Sequence, residues 1–343
     1  MNGRTIVGII DEQRYVLIQS GAVALSPAIH EAVEKALEDG ANSLFFVGAG
    51  GAGILMLPAV QLLETRSTFA VNWTMPAELI RRGSRRVDSS SLVVMPSLSG
   101  TTSETLEALD FCRQAGATII SLTGDEKTPL ASRADVNFSN PADEDTSSES
   151  FYIQSLALAL ALLDVRREIS DYEALIDEMR SLPAVMTAMK RDFDAEADSI
   201  AEALTDVGWL MITGAGGTWP EAFYYGMCVL EQMQWIRTRP IHSADFFHGA
   251  IELVEERVPV LILKGEDRSR PLVERVERFV PRAGGTAISI DTAELAPGAI
   301  SPALRELVSP VLLAAVLERV SNHLATRRDH PLTMQRYYRK VEY

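Results

Sequence analysis

Two stretches of this chain repeat a short glycine pattern. Phe46-Val-Gly-Ala-Gly-Gly51 and Ile212-Thr-Gly-Ala-Gly-Gly217 each follow an apolar run and precede a segment with helical periodicity. Their first glycines, Gly48 and Gly214, lie 166 positions apart. An internal repeat of this kind indicates that one supersecondary unit occurs twice. The pattern therefore predicts two similar α/β units in tandem.

Short β-rich runs alternate with helical patterns in both halves of the chain. Strands are predicted at Ser43–Val47, Thr68–Val71, Leu92–Met95, Thr118–Leu122, Val136–Phe138, Trp209–Thr213, Val258–Leu263 and Thr286–Ile290. Helices are predicted at Gly53–Glu64, Pro76–Arg82, Glu104–Ala115, Pro129–Ala134, Ser148–Arg167, Tyr172–Arg180, Ala184–Leu204, Pro220–Ile236, Pro271–Val280 and 302–326. Because such alternation is typical of βαβ units, each half is expected to form a parallel sheet flanked by helices.

The domain boundaries follow from the same pattern. A first unit is predicted over residues 20–168 and a second over residues 207–343. Residues 169–206 between them are richer in charge and helix formers, so they are expected to form connecting helices.

Hydroxyl side chains cluster after the buried strand predicted at Leu92–Met95. Residues 97–104 read Ser-Leu-Ser-Gly-Thr-Thr-Ser-Glu, and a helical pattern starts at Glu104. The first amides of a helix and its dipole favour an anion, and hydroxyls add donors. Because no lysine lies in the loop, it is not the nucleotide-binding Gly-x-x-x-x-Gly-Lys-Ser/Thr loop. The phosphate of a small metabolite is predicted to bind Ser97, Ser99, Thr101 and Thr102.

Composition restricts the partners and the compartment. The chain of 343 residues carries a formal net charge of −15, which would repel nucleic acid. Its two cysteines, Cys112 and Cys228, lie in apolar surroundings, which favours a reducing cytoplasm. The N-terminal sequence lacks the apolar core of a signal peptide, and the longest apolar run, Leu156–Leu163, is too short to span a bilayer. A cytoplasmic protein without membrane partners is expected. Histidines and cysteines show no metal-ligand spacing, so no metal is predicted.

Taken together, these motifs resemble the double-SIS (sugar isomerase) family of phosphosugar-binding proteins. The amino-acid sequence of these motifs is most similar to the fructosamine (6-phosphofructosyl-amino acid) deglycase branch, and the isomerase half of glucosamine-6-phosphate synthase is related. The residues that carry this resemblance are the 97–104 loop, Cys228-Val-Leu-Glu-Gln-Met-Gln-Trp235, Ser243-Ala-Asp-Phe-Phe-His-Gly249 and the tail His330-Pro-Leu…Arg336-Tyr-Tyr-Arg-Lys-Val-Glu-Tyr343.

The resemblance implies a flavodoxin-like αβα sandwich for each unit and an enzyme without a cofactor. It implies cleavage of a 6-phosphorylated fructosamine to glucose 6-phosphate and a free amine, through a 1,2-proton shift and imine hydrolysis. A phosphosugar isomerase or a deaminase of the glucosamine-6-phosphate type would use the same residues, and a non-catalytic sugar-phosphate sensor is a third alternative. In relatives the site is shared between subunits, which implies a homodimer or higher homo-oligomer.

Glu231 is the candidate general base. On the predicted helix its neighbours are apolar, and a carboxylate among them is expected to have a raised pKa, because burial disfavours its charged form. These neighbours are Met227, Cys228 and Trp235.

The spacing leaves two candidates for the base. Counting forward from Pro220 selects Glu231, whereas counting back from His248 by the sixteen residues typical of the family selects Gln232. We prefer Glu231 and expect the extra residue in a loop near 238–240.

The remaining candidates come from the resemblance. His248 is expected to open the sugar ring, and Lys340 in the C-terminal tail to contact the substrate. Substrate contacts are also expected from Gly50, Gly51, Ala52, Ser147 and Ser148. Ala52 stands where family members usually carry Ser or Thr.

Overall fold

The computed structural model describes residues 11–338, 340 and 341. The N-terminal segment of residues 1–10 and three residues of the tail motif, Arg339, Glu342 and Tyr343, lie outside the described residues. Contacts divide the described residues into two compact units. The first is Gln13–Pro183, and the second begins at Ala184 and also takes in residues 11 and 12.

A five-stranded parallel sheet forms the centre of the first unit. Its strands are β1 (Ser43–Val47), β2 (Ala70–Thr74), β3 (Ser91–Ser97), β4 (Thr118–Thr123) and β5 (Val136–Ser139). Their order is β2-β1-β3-β4-β5, and every neighbouring pair is parallel. β1 and β3 are buried along their whole length, which is why their sequences are nearly continuous apolar runs. This order is that of flavodoxin-like sheets.

Helices surround this sheet. They are α1 (Glu12–Ala24), α2 (Ser26–Glu38), α3 (Gly50–Ile54), α4 (Leu57–Arg66), α5 (Pro76–Arg82), α6 (Ser103–Gln114), α7 (Pro129–Arg133), α8 (Ser147–Val165) and α9 (Tyr172–Met179). α2 and α4 pack against α8, which is buried almost all round.

Two segments are long and apolar enough, by length and composition alone, to cross a membrane. They are Glu12–Glu38 and Ser147–Val165. The unbroken apolar run Leu156–Leu163 is shorter than the helix predicted at Ser148–Arg167, so the run alone understated the apolar length of this segment. The apolar window of Ser147–Val165 is 83% buried inside the protein, as in a core helix.

The second unit has a four-stranded parallel sheet. Its strands are β6 (Trp209–Gly214), β7 (Arg237–His242), β8 (Pro259–Lys264) and β9 (Thr286–Asp291), in the order β7-β6-β8-β9. Its helices are α10 (Leu182–Asp192), α11 (Asp194–Leu204), α12 (Trp219–Tyr224), α13 (Arg270–Arg282) and α14 (Pro302–Arg327). Short 3₁₀ turns lie at Gly216–Thr218, Ala250–Leu253 and Thr292–Glu294, and a π-helix at Tyr225–Glu231 continues α12.

The predicted fold class, two parallel sheets each flanked by helices, is confirmed. Several predicted elements differ in detail. The strand predicted at Thr68–Val71 is Ala70–Thr74, and the helix predicted at Gly53–Glu64 is two helices, since Pro58 starts a new one. The helix predicted at Ala184–Leu204 is also two helices, α10 and α11, and α1 and α2 were not predicted.

Strand β7 was missed, and the helix prediction for Pro220–Ile236 was wrong beyond residue 231. β7 reads Arg-Thr-Arg-Pro-Ile-His. Its proline and its two arginines are not typical of a strand, so the sequence pattern did not predict it. Because β7 lies at the sheet edge and pairs only with β6, Pro240 removes no ladder bond from a second neighbour. The chain turns before β7 at Trp235, whose backbone φ is +55°.

An ion-pair cluster ties the ends of β8 and β9 to α13. Arg270 donates two hydrogen bonds to Asp291, of 2.8 and 2.6 Å, and Lys264 Nζ lies 3.0 Å from the same carboxylate. Burial alone would raise the pKa of Asp291, but these two cations lower it to about 2. The charged carboxylate therefore stabilises the second unit.

Replacing Asp291 with Asn should lower the free energy of unfolding by about 2 kcal/mol at pH 7, because Arg270 and Lys264 each lose one carboxylate and keep only Glu274 and Glu277, respectively. The pKa of Asp291 in the folded protein lies below its unfolded value of about 3.9. The stabilisation that the charged carboxylate provides is therefore complete above about pH 3.9 and is lost as the pH falls towards 2. Chemical denaturation at pH 7 and at pH 2.5 measures it. The control is Asp39→Asn at an exposed pair with Lys35, which should change nothing measurable. Equal stability of the wild-type and Asp291→Asn proteins at pH 7 would contradict this account.

Candidate functional site

The carboxyl edge of the first sheet collects the predicted substrate-contacting residues of the first unit. The glycine loop follows β1, the hydroxyl loop follows β3, and β1 and β3 are neighbours. The connection after β1 leads to β2 on one side, and the connection after β3 leads to β4 on the other side. This reversal opens a crevice between the loops that follow β1 and β3. Parallel α/β sheets bind ligands at such a point.

The hydroxyl loop is a tight turn with open amides. Ser97 is buried, and its Oγ accepts a 3.1 Å hydrogen bond from Gly100 N. Thr102 is the N-cap residue of α6, yet its side chain makes no capping hydrogen bond. A simple capping role therefore does not account for Thr102. The first turn of α6 is left to bind an anion.

The other predicted phosphate ligands, Ser99 and Thr101, lie at the outside of this turn. Thr101 is exposed, and its Oγ1 donates to Ser99 Oγ at 3.1 Å. The structure thus brings all four predicted phosphate-binding hydroxyls into one loop at the start of α6.

The glycine loop beside it is shaped by close backbone approach. An added Cβ at Gly48 would lie 2.6 Å from Gly53 Cα, so both positions need glycine. Gly50 has a φ of +53° and starts α3. Gly50 is exposed, and Gly51 and Ala52 are half-buried, so a ligand can reach all three. Ala52 supplies no hydroxyl.

Ser147 and Ser148 begin α8, which follows β5 and starts at the same sheet edge. Ser147 is buried, and Ser148 Oγ donates to Glu149 Oε2 at 2.9 Å. Tyr15 donates to the other oxygen of the fully buried Glu149. Glu149 therefore fixes the orientation of Ser148.

The corresponding edge of the second unit is closed by its own side chains. Asp267 Oδ2 accepts a 2.8 Å hydrogen bond from Gly217 N, and its other oxygen accepts one from Ser269 N. A carboxylate thus takes the place that an anion would take in the second glycine loop. The two glycine repeats are alike in sequence but not in what they can bind.

Glu231 ends the π-helix, and its side chain is exposed. Thr238 donates to Glu231 Oε1 from its backbone N at 3.1 Å and from its Oγ1 at 2.8 Å. The expected apolar enclosure is absent in this chain, because the π-helix and the turn after it direct Glu231 to the protein surface. The hydroxyl and amide of Thr238 hold the carboxylate from one side only.

The extra residue between Glu231 and His248 is not in a loop near 238–240. Those residues lie inside β7, in unbroken register with β6 (Leu210↔Thr238, Ile212↔Pro240). That expectation is wrong. The π-helix upstream of Glu231 accommodates an additional residue per turn, but an insertion there changes the count from Pro220 and not the spacing between Glu231 and His248. Both Glu231 and Gln232 line the same cleft.

This cleft, of about 560 Å³, joins the end of the π-helix to the C-terminal tail. Besides Glu231 and Gln232, its lining includes Trp235, Arg237, Arg336, Tyr337 and Tyr338. The tail prediction concerned Lys340, whose Nζ instead donates to its own tail at the carbonyl oxygen of Gln335, 2.5 Å away. Sequence reasoning missed Thr238 and Arg237, because their positions depend on β7, and it missed Arg336, because its position depends on the packing of the tail on Trp235.

His248 lies in the turn after β7, whereas Glu231 is bonded to Thr238 at the start of β7. Four residues of extended strand separate Thr238 from His242, which is roughly 13 Å, and His248 lies further along the chain. No hydrogen bond among the described residues joins Glu231 to His248. The exposed imidazole of His248 makes no hydrogen bond with any described residue.

The two cysteine thiols are made unreactive by burial. Burial raises the pKa of the Cys112 and Cys228 thiols to about 12, so both are protonated core residues at neutral pH. Within residues 11–338, 340 and 341, no three His, Cys, Asp or Glu side chains are grouped so that they could hold a metal ion.

Comparisons with known proteins agree with this architecture. The family model described as "SIS domain" matches residues 39–164. The chain is 32% identical to fructosamine deglycase FrlB of Bacillus subtilis, over 88% of this chain and 93% of that protein. It is 25% identical to fructoselysine 6-phosphate deglycase of Escherichia coli K12, over 91% of this chain and 90% of that protein. A crystal structure from Bacillus subtilis, described as a phosphosugar isomerase, superposes with a TM-score of 0.87 at 29% identity, covering 94% of this chain and 99% of that chain.

Replacing Gly100 with Ala should abolish phosphate binding at the hydroxyl loop. Gly100 has a φ of +58°, and a Cβ would lie 2.3 Å from Thr128 Oγ1, so the turn must shift. Binding of inorganic phosphate and of fructose 6-phosphate can be measured by titration calorimetry. The control is Gly40→Ala, which also has a positive φ (+101°) but no atom within 4 Å of the new Cβ. Unchanged affinity in Gly100→Ala would show that this loop is not the phosphate site.

Proposed function

This chain belongs to the SIS domain family, and from that premise we propose that it cleaves a 6-phosphorylated fructosamine to glucose 6-phosphate and a free amine. It is an enzyme of the phosphosugar deglycase or isomerase kind. The similarity to proteins named as deglycases over nearly the whole chain supports the deglycase reaction. We also propose that the protein is cytoplasmic and forms a homo-oligomer.

The hydroxyl loop is the proposed anchor for the 6-phosphate. Ser97, Ser99, Thr101 and Thr102 supply hydroxyls, and the uncapped first turn of α6 supplies amides and the positive end of its dipole. The placement of this loop at the crevice of the first sheet supports the assignment. Gly50, Gly51, Ala52, Ser147 and Ser148 flank it as proposed sugar contacts.

The observation that carries the proposed chemistry is the hydrogen bonding and the exposure of the Glu231 carboxylate. Both hydrogen bonds from Thr238 go to Oε1, while Oε2 has no partner among the described residues and the side chain is exposed beside a cleft. A carboxylate fixed through one oxygen and free at the other is suited to move a proton at a bound ligand.

The proposed reaction starts from the open-chain ketosamine. Glu231 takes a proton from C1, the C1–C2 double bond of an enaminol forms, and the C2 carbonyl oxygen becomes a hydroxyl by taking up a proton. Return of a proton to C2 gives the C1 imine of glucose 6-phosphate. One water molecule then adds to C1, and the C–N bond breaks to release the amine. General acid–base catalysis of this kind contributes roughly 10²–10⁴-fold.

Exchanging Glu231 for Gln should lower turnover by roughly 10²-fold or more while leaving phosphosugar binding nearly unchanged, because only the base is lost. Release of glucose 6-phosphate from fructosyl-lysine 6-phosphate, followed by a coupled dehydrogenase assay, measures turnover. The matched control is Gln232→Ala at the neighbouring position of the same cleft. Near-normal turnover in Glu231→Gln would show that Glu231 is not the base, and because the amide of Gln232 cannot take up a proton, the base would then have to lie elsewhere.

We propose that His248 reaches the site from a second copy of the chain, as the family resemblance implies. His248 is the proposed acid for opening the sugar ring, by proton transfer to the ring oxygen. Because its imidazole is exposed and unpartnered in the described chain, it is available to a neighbouring subunit.

This shared site predicts complementation between two inactive variants. When Glu231→Gln and His248→Ala are mixed and allowed to exchange subunits, half of the dimers are hybrids with one intact site of two, so activity should return to about a quarter of the wild-type value. Each variant alone is the control. No recovery after demonstrated subunit exchange would show that His248 acts within its own chain or not at all.

A further inference from the structure

Two arginines line the cleft that contains Glu231. Arg237 begins β7 and Arg336 lies in the C-terminal tail, and both line the cleft. Neither side chain makes a hydrogen bond or an ion pair with a described residue. Glu231 lies in the same cleft but is not paired with either of them.

Arg336 is held in place by an aromatic ring. Its guanidinium carbon lies 4.1 Å above the centre of the Trp235 ring, and Trp235 in turn meets the edge of His330. A guanidinium stacked in this way is fixed through its face, while its N–H donors point outward in its plane and stay available. The tail therefore presents a positioned, unsatisfied cation to the cleft.

Arg237 and Arg336 are both exposed to solvent. The protein has 47 acidic and 32 basic residues, and other arginines in the second unit, such as Arg270, Arg305 and Arg319, are bonded to carboxylates. Two guanidinia that remain unpaired in one cleft match a ligand that brings its own oxyanion, because planar guanidinium groups bind carboxylates through paired hydrogen bonds.

We propose that Arg336, with Arg237, binds the carboxylate of an amino acid attached to C1 of the sugar. This inference rests on the proposed function. Since Glu231 is to act at C1, groups in its cleft face C1 and the nitrogen substituent that C1 carries. The 6-phosphate lies at the other end of the substrate molecule from C1. The pair thus selects glycated amino acids over glycated simple amines.

Two substrates that differ only in this charge test the assignment. Fructosyl-glycine 6-phosphate carries a carboxylate, whereas fructosyl-glycinamide 6-phosphate has the same size and none. For the wild type, KM for the glycine compound should be about 10- to 100-fold lower, the effect of hydrogen bonds to a charged group. In Arg336→Met this preference should disappear through KM, while kcat for the glycinamide compound is kept.

The control variant is Arg282→Met, which removes an exposed arginine from α13 outside the cleft and should leave both KM values unchanged. Arg336→Lys should restore part of the preference. An equal rise in KM for both substrates in Arg336→Met, with weaker binding of inorganic phosphate, would show that the arginine binds phosphate and overturn the inference. Equal KM values in the wild type would also overturn it. If the wild type releases glucose 6-phosphate from neither compound, the proposed function itself fails.

Discussion

The parallel direction of the strands places every strand-to-helix loop of a unit at one edge of its sheet, and the binding properties of the chain depend on that edge. In the first unit, neighbouring β1 and β3 bring the glycine loop and the hydroxyl loop together. Helix α8 starts at the same edge with Ser147 and Ser148. No single loop makes the crevice. It exists because the sheet order 2-1-3-4-5 sends the connections from these strands to opposite faces.

The two units show how one architecture can be opened or closed by a few side chains. The first unit leaves hydroxyls and helix amides facing the crevice, with Thr102 making no capping bond. The second unit fills the equivalent place with Asp267, and ties the ends of β8 and β9 with Lys264, Arg270 and Asp291. Of the two glycine loops, only the one in the first unit therefore remains open to a phosphate.

Edge strand β7 organises the proposed catalytic part of the second unit. Its first residues hold Glu231 through Thr238, and Arg237 faces the cleft beside it. Its last residue leads into the turn with His248. The strand therefore lies between the two candidate catalytic groups in the sequence, while the C-terminal tail adds Arg336, stacked on Trp235, to the Glu231 cleft. In the proposed reaction, His248 comes from a second copy of the chain.

By itself, the sequence determined the local pattern: the buried strands such as Ser43–Val47, the hydroxyl loop at 97–104 and the repeated glycine turns, because strand burial and glycine geometry are set by neighbouring residues. It did not reveal β7, whose proline and arginines are tolerated only at a sheet edge. It also could not show that Asp267 fills the second glycine loop from fifty residues away, or that Glu231 is exposed and Arg336 lies over Trp235. Those properties come from long-range packing, since the π-helix, the edge strand and the tail acquire their positions only when distant segments meet in the folded chain.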